Sequence, residues 1–144
     1  MKVVDANVLL YAVNEDAQHH QASRSWLDSA LSGGDTVGFT WLAVTAFLRI
    51  STKVGLFPQP LTPAEAVAQA QAWIDAPGGR VIEPTSQHLT VLDRLLTDLG
   101  TGGNLVSDTH LAAIAIEHRA DVVSYDSDFA RFRDLRWLTP DQTA

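Results

Sequence analysis

Residues 2–11, Lys-Val-Val-Asp-Ala-Asn-Val-Leu-Leu-Tyr, pass from a β-branched run to a helical apolar pattern across a single aspartate. That switch puts Asp5 at the carboxyl end of a first strand, where open α/β sheets carry their sites. A second acid, Asp108, opens a later helix, and a third, Asp126, follows a later strand. Three carboxylates at one sheet edge repel one another unless a cation sits among them. The pattern therefore points to a divalent metal site.

The rest of the chain supports a sheet of that kind. Short β-branched runs alternate with helical patterns: strands are expected at 2–4, 36–40, 81–83, 122–124 and 135–138, and helices at 8–13, 17–31, 42–53, 64–75, 86–99 and 105–118. Pro58, Pro60 and Pro63 make 56–63 a loop, with Thr62 capping the helix that Pro63 begins. Alternation of this kind predicts an α/β fold, a central mainly parallel sheet with helices on both faces. With 144 residues and no internal repeat, one domain over 1–144 is expected.

Composition removes several classes of function. The 46% apolar content fits a globular protein, and no apolar run reaches the roughly 18 residues of a membrane span. No leader pattern precedes the first strand, so a cytoplasmic location is expected. The absence of cysteine excludes disulfides and thiolate metal sites. No Gly-x-Gly-x-x-Gly, P-loop or Gly-x-Ser-x-Gly phrase is present. His19-His20 are adjacent rather than four apart, a poor zinc pair, and Asp93 and Asp98 read as a solvated helix face.

The net charge of −7 argues against a phosphate ligand, but several of the acids are themselves candidate metal ligands. Arg49 and Lys53 sit close together, and Arg131, Arg133 and Arg136 cluster near the C-terminus. Each arginine taken singly is a solvated residue. Taken singly, Asp5 is also a helix N-cap, Asp108 a first-turn acid matched to the helix dipole, and Asp126-Ser127-Asp128 good turn chemistry. Asn7 is placed to orient Asp5, and Ser124 and Asp128 to add oxygens beside Asp126. Phe129 and Phe132 are expected to anchor a short helix to the core. Trp26 and Trp41 are expected in the core, or, if exposed, to line a groove for a partner helix.

The phrases Val-Asp-Ala-Asn-Val-Leu-Leu-Tyr at 4–11, Leu-Val-Ser-Asp-Thr-His-Leu-Ala-Ala at 105–113 and Ser-Tyr-Asp-Ser-Asp-Phe at 124–129 resemble PIN domains. More narrowly, they resemble the VapC ribonuclease toxins of VapBC toxin–antitoxin modules. The resemblance implies RNA cleavage dependent on Mg²⁺ or Mn²⁺, a cognate VapB-like antitoxin and a homodimer. It implies Asp5, Asp108 and Asp126 as metal ligands, with Asp128 as a further catalytic acid and Asn7 and Ser124 in support. Arg49, Lys53 and Arg131 would guide the RNA backbone. Many members carry Glu within a Glu-Phe-Leu-Arg phrase, whereas here it reads Ala46-Phe47-Leu48-Arg49. The alternative is thus a catalytically impaired PIN-like module that binds RNA or a partner. A phospho-receiver fits poorly, since Glu83-Pro84 follow the third strand and the only lysines are Lys2 and Lys53.

Overall fold

Val3 and Val4, both fully buried, face opposite sides of the sheet and belong to two different cores. Val122 and Val123 repeat the division on the neighbouring strand. Such continuous apolar runs are what a strand covered on both faces requires. The computed structural model describes residues 1–143. Its five strands are β1 (Lys2–Val4), β2 (Val37–Phe39), β3 (Gly79–Val81), β4 (Asp121–Val123) and β5 (Trp137–Leu138). All pair in parallel, in the order β3-β2-β1-β4-β5.

Six α-helices cover the sheet: α1 (Ala6–Val13), α2 (His20–Ser29), α3 (Trp41–Ser51), α4 (Pro63–Asp75), α5 (His88–Leu99) and α6 (Val106–Glu117). The core under α1–α4 is built on Leu9, Leu27, Phe39, Phe47 and Trp73. The core under α5 and α6 is built on Ile82, Leu95, Leu111, Ile114 and Phe129. Ala112, Ala113 and Ala115 are buried too, and their small side chains let α6 lie close to the strands. No helix among the described residues is long and apolar enough to cross a membrane.

Local signals set most boundaries. Thr62 Oγ1 accepts from Glu65 N at 3.1 Å and Glu65 Oε1 accepts from Thr62 N at 3.0 Å, a reciprocal box that starts α4 on Pro63. Thr40, expected to end a strand, instead caps α3 by accepting from Ala43 N. Helix α1 begins at Ala6 rather than Val8, because Asp5 is itself the cap. Helix α2 starts at His20 rather than Ala17 and passes into one wider turn over Ala30–Gly34, closed by Gly33 at φ 113°.

The third strand departs furthest from expectation, running Gly79–Val81 rather than 81–83. Gly79 pairs with Val37 where the backbone passes the end of α4 so closely that a Cβ on Gly79 would strike the carbonyl oxygens of Trp73 and Ile74. The fifth strand shortens to Trp137–Leu138. Trp26 is buried as expected, but Trp41 is 51% exposed, because α3 begins at the rim of the sheet and its first turn faces outward. Phe129 and Phe132 are both buried.

Gly79→Ala should lower stability by about 1–3 kcal/mol through overpacking against backbone that has no freedom to give. Urea denaturation checks this, and an unchanged midpoint would mean that the close approach of β3 to α4 is wrong.

Candidate metal centre

Asp5 leaves β1 and turns the chain into α1, its Oδ1 accepting from Ala6 N at 2.8 Å. Ser124, at the end of β4, donates its hydroxyl to Asp5 Oδ2 at 2.7 Å. Asn7 Nδ2 donates to the same Asp5 oxygen at 3.2 Å and to Ser124 Oγ at 3.0 Å. Asn7 Oδ1 accepts from Tyr125 N at 3.1 Å, and Ser124 Oγ accepts from Asp126 N at 3.0 Å. Asn7 and Ser124 thus tie the ends of two adjacent strands into one hydrogen-bonded unit. Ser124 is fully buried, so these bonds do not exchange freely with water.

Asp126 continues from that unit, its Oδ1 accepting from Asp128 N at 2.9 Å. Asp108 reaches the same place from the first turn of α6. One carboxylate oxygen from each of Asp108, Asp126 and Asp128 lies within 4.8 Å of the others. Asp5 stands beside this trio rather than in it, its two oxygens turned to Ala6, Asn7 and Ser124.

The electrostatics follow from the crowding. Burial, then the charge and hydrogen bond of Asp126, then the charges of Asp5 and Asp128, push the Asp108 carboxyl up to about 7. Burial also raises Asp5, against the lowering effect of its bonds from Ser124 and Ala6, and the charge of Asp126 raises it further. Without a cation, the cluster therefore holds a proton near neutral pH. All its donors are carboxylate oxygens, the set that a hard divalent ion such as Mg²⁺ or Mn²⁺ takes. The residues present fit such an ion.

A cleft of about 200 Å³ opens beside the acids, lined among others by Asp5, Asp108, Leu42, Ala46, Arg49 and Ser107. Ala46 faces this cleft where the resemblance places a glutamate. Arg49 is on its wall, whereas Lys53, past the end of α3, is not part of the lining. Arg131 pairs with Asp128, Nε to Oδ1 at 3.1 Å, and stands exposed beside the acids, outside the cleft lining. A separate groove of about 750 Å³ runs between α1, α2 and α4, with Leu27, Leu61 and Trp73 among its walls.

Sequence reading missed a chain of polar groups between α5 and α6. His88 Nδ1 meets Glu117 Oε2 at 2.6 Å, and His88 Nε2 meets His110 Nδ1 at 2.8 Å. Glu117 also accepts from Thr85 N and Oγ1. These residues have no shared local spacing, so only the packing of the two helices reveals them. His20, half of the adjacent pair, turns its Nδ1 to Tyr11 O, while the His19 ring stacks on Tyr125 at 4.0 Å.

Comparison with known proteins identifies the family. The PIN domain profile matches residues 2–135. Ribonuclease VapC37 of Mycobacterium tuberculosis is 57% identical over 140 residues, 97% of each chain. Ribonuclease VapC33 of the same organism is 37% identical, over 97% of this chain and 98% of its own length. Among solved structures, VapBC2 from Rickettsia felis, bound to a DNA fragment from its promoter, superposes with a TM-score of 0.71 at 16% identity. That match covers 96% of this chain and 97% of the other. The chain belongs to the PIN-domain family and, within it, to the VapC proteins.

The raised carboxyl of Asp108 has a signed consequence for stability. Its folded value of about 7 lies above its ordinary 3.8, so the metal-free fold binds more protons than the unfolded chain between those limits. The contribution of this group to stability is then fully present below the lower value and is lost as pH rises through the upper one. Asp108→Asn should remove that loss, raising stability at pH 8 by about 1 kcal/mol after allowance for solvent screening. At pH 4 it should change little. Thermal melts of both proteins in chelator check this, and an equal effect at the two pH values would contradict it.

Proposed function

We propose that this PIN-domain chain is a Mg²⁺- or Mn²⁺-dependent endoribonuclease, the toxin component of a toxin–antitoxin module, working on RNA in the cytoplasm. The observation that carries the reading is the convergence of Asp108, Asp126 and Asp128 within 4.8 Å, with Asp5 alongside, at the carboxyl edge of the sheet. The 57% identity to a ribonuclease supports RNA as the substrate.

Asp108, Asp126 and Asp128, with Asp5, would hold the cation, which supplies Lewis acidity toward a phosphoryl oxygen and acidifies a water. The chain's own residues do the rest. Asn7 and Ser124 keep Asp5 in one orientation, so the charge of the cluster is fixed before substrate arrives. Arg49, exposed at the cleft wall, offers its guanidinium to a backbone phosphate. The proton leaving the attacking water goes to Asp126 or Asp128. Asp126 Oδ1 already accepts Asp128 N, and Asp128 Oδ1 accepts Arg131 Nε, which leaves Asp128 Oδ2 the freer acceptor.

The partner would be a cognate antitoxin. The groove between α1, α2 and α4 has the size and the mixed lining to take an amphipathic helix, which buried Trp26 does not. A second reading rests on Ala46: the protein keeps the fold and binds RNA or a partner without turnover.

Purified protein should cut a mixed-sequence oligoribonucleotide with Mg²⁺ or Mn²⁺ and stop when a chelator is added. Asp5→Asn and Asp108→Asn should each reduce the rate about a hundredfold or more. Equal cleavage by either variant, or in chelator, would end the reading. Calorimetric titration with Mn²⁺ alongside the assay separates the second reading, which requires RNA binding without cleavage. Ala46→Glu, by adding an oxygen donor to the cleft wall, should tighten Mn²⁺ binding about tenfold; unchanged affinity would mean that position 46 does not reach the ion.

A further inference from the structure

Trp41 has no packing reason to be where it is. Trp26 and Trp73 are buried and serve the core, but Trp41, 51% exposed, stands on the first turn of α3 at the rim of the sheet. It follows β2, the strand beside β1; continuing the register of Val3 with Gly38 sets Thr40 across from Asp5, and Trp41 comes one residue later at the same edge of the sheet. Its neighbour Leu42 lines the carboxylate cleft with Asp5 and Asp108. Val106, one residue before Ser107 of the same cleft, is 45% exposed. Exposed apolar residues thus stand next in sequence to two residues of the cleft wall, Leu42 and Ser107.

The indole is also oriented. Trp41 Nε1 donates to Glu83 Oε1 at 3.3 Å, and Glu83 follows β3, the next strand outward. A bond at the ring edge fixes the plane and leaves the face available to a flat, apolar group. Single-stranded nucleic acids present such groups as unstacked bases, which proteins hold on aromatic faces.

We infer that Trp41 is a base-stacking platform for the substrate, holding a nucleobase of single-stranded RNA beside the phosphate that enters the carboxylate cleft. The inference rests on the ribonuclease reading above and assigns it a substrate-binding residue. Glu83 acts through Trp41, as a positioning residue. An antitoxin helix is the weaker occupant, because the groove large enough for a helix lies between α1, α2 and α4. Stacking of a base that does not react contributes equally to substrate and transition state, so it is felt in KM and not in kcat.

The test measures kcat and KM on a mixed-sequence single-stranded RNA of about ten nucleotides, the span of one such binding groove, for wild type, Trp41→Ala, Trp41→Phe and Leu89→Ala. Leu89, 78% exposed on α5, controls for loss of any exposed apolar residue. Trp41→Ala should raise KM about tenfold with kcat within about twofold, Trp41→Phe should recover most of that loss, and Leu89→Ala should match wild type. An unchanged KM in Trp41→Ala overturns the inference, whatever that variant does to protein partners. So does a loss that falls in kcat alone, or one that Leu89→Ala shares. Wild-type protein that cleaves no RNA withdraws the ribonuclease reading and this inference together, whereas wild-type cleavage with an indifferent Trp41→Ala withdraws only the platform.

Discussion

The parallel pairing of β1 with β4, register Val4 to Val123, is the constraint from which the site follows. These strands lie at opposite ends of the chain, yet the pairing sets Asp5 and Ser124 one residue beyond partnered positions. Their side chains then meet at 2.7 Å. Asp126 is carried in two residues later, and α6, packed by its alanines on the same two strands, delivers Asp108 from the other side. A slip of one residue in this register would turn every side chain to the opposite face and scatter the acids.

The same pairing forces like charges together, and the fold answers that conflict with two devices. Burial raises the Asp5 carboxyl, and hydrogen bonds from Ser124 and Ala6 partly offset that rise. Asp108, which has less such help, keeps its proton to about 7 instead. A site that is uncomfortable without a cation has a built-in preference for one, since an ion of charge two removes the repulsion that the backbone imposes. Stability given up to this repulsion would be recovered on binding such an ion.

The parts of this arrangement that were legible in the sequence are those set by local chemistry. Strand-to-helix switches at Asp5 and near Asp126 and the Thr62-Pro63 start of α4 all announce themselves within a few residues. The parts that were not depend on tertiary contact. Gly79 lies two residues before the strand expected at 81–83, yet it is the first residue of β3, where the backbone passes close to the end of α4. Position along the chain ranks Asp5 as the leading acid but does not show that its oxygens are turned to Ala6, Asn7 and Ser124, while Asp128 joins Asp108 and Asp126. An aromatic such as Trp41 reads as core by default, and its exposure depends on where the strand before it ends. The His88–Glu117–His110 chain has no spacing to read at all.

The proposed catalysis by these acids would require one cation lying among them, and anomalous diffraction from crystals grown with Mn²⁺ looks for it directly. One peak at about 2.1 Å from carboxylate oxygens of Asp108 and Asp126 or Asp128, with Asp5 adjacent, is the predicted result. Manganese bound elsewhere on the surface, with the cluster free of any peak at saturating metal, would contradict it.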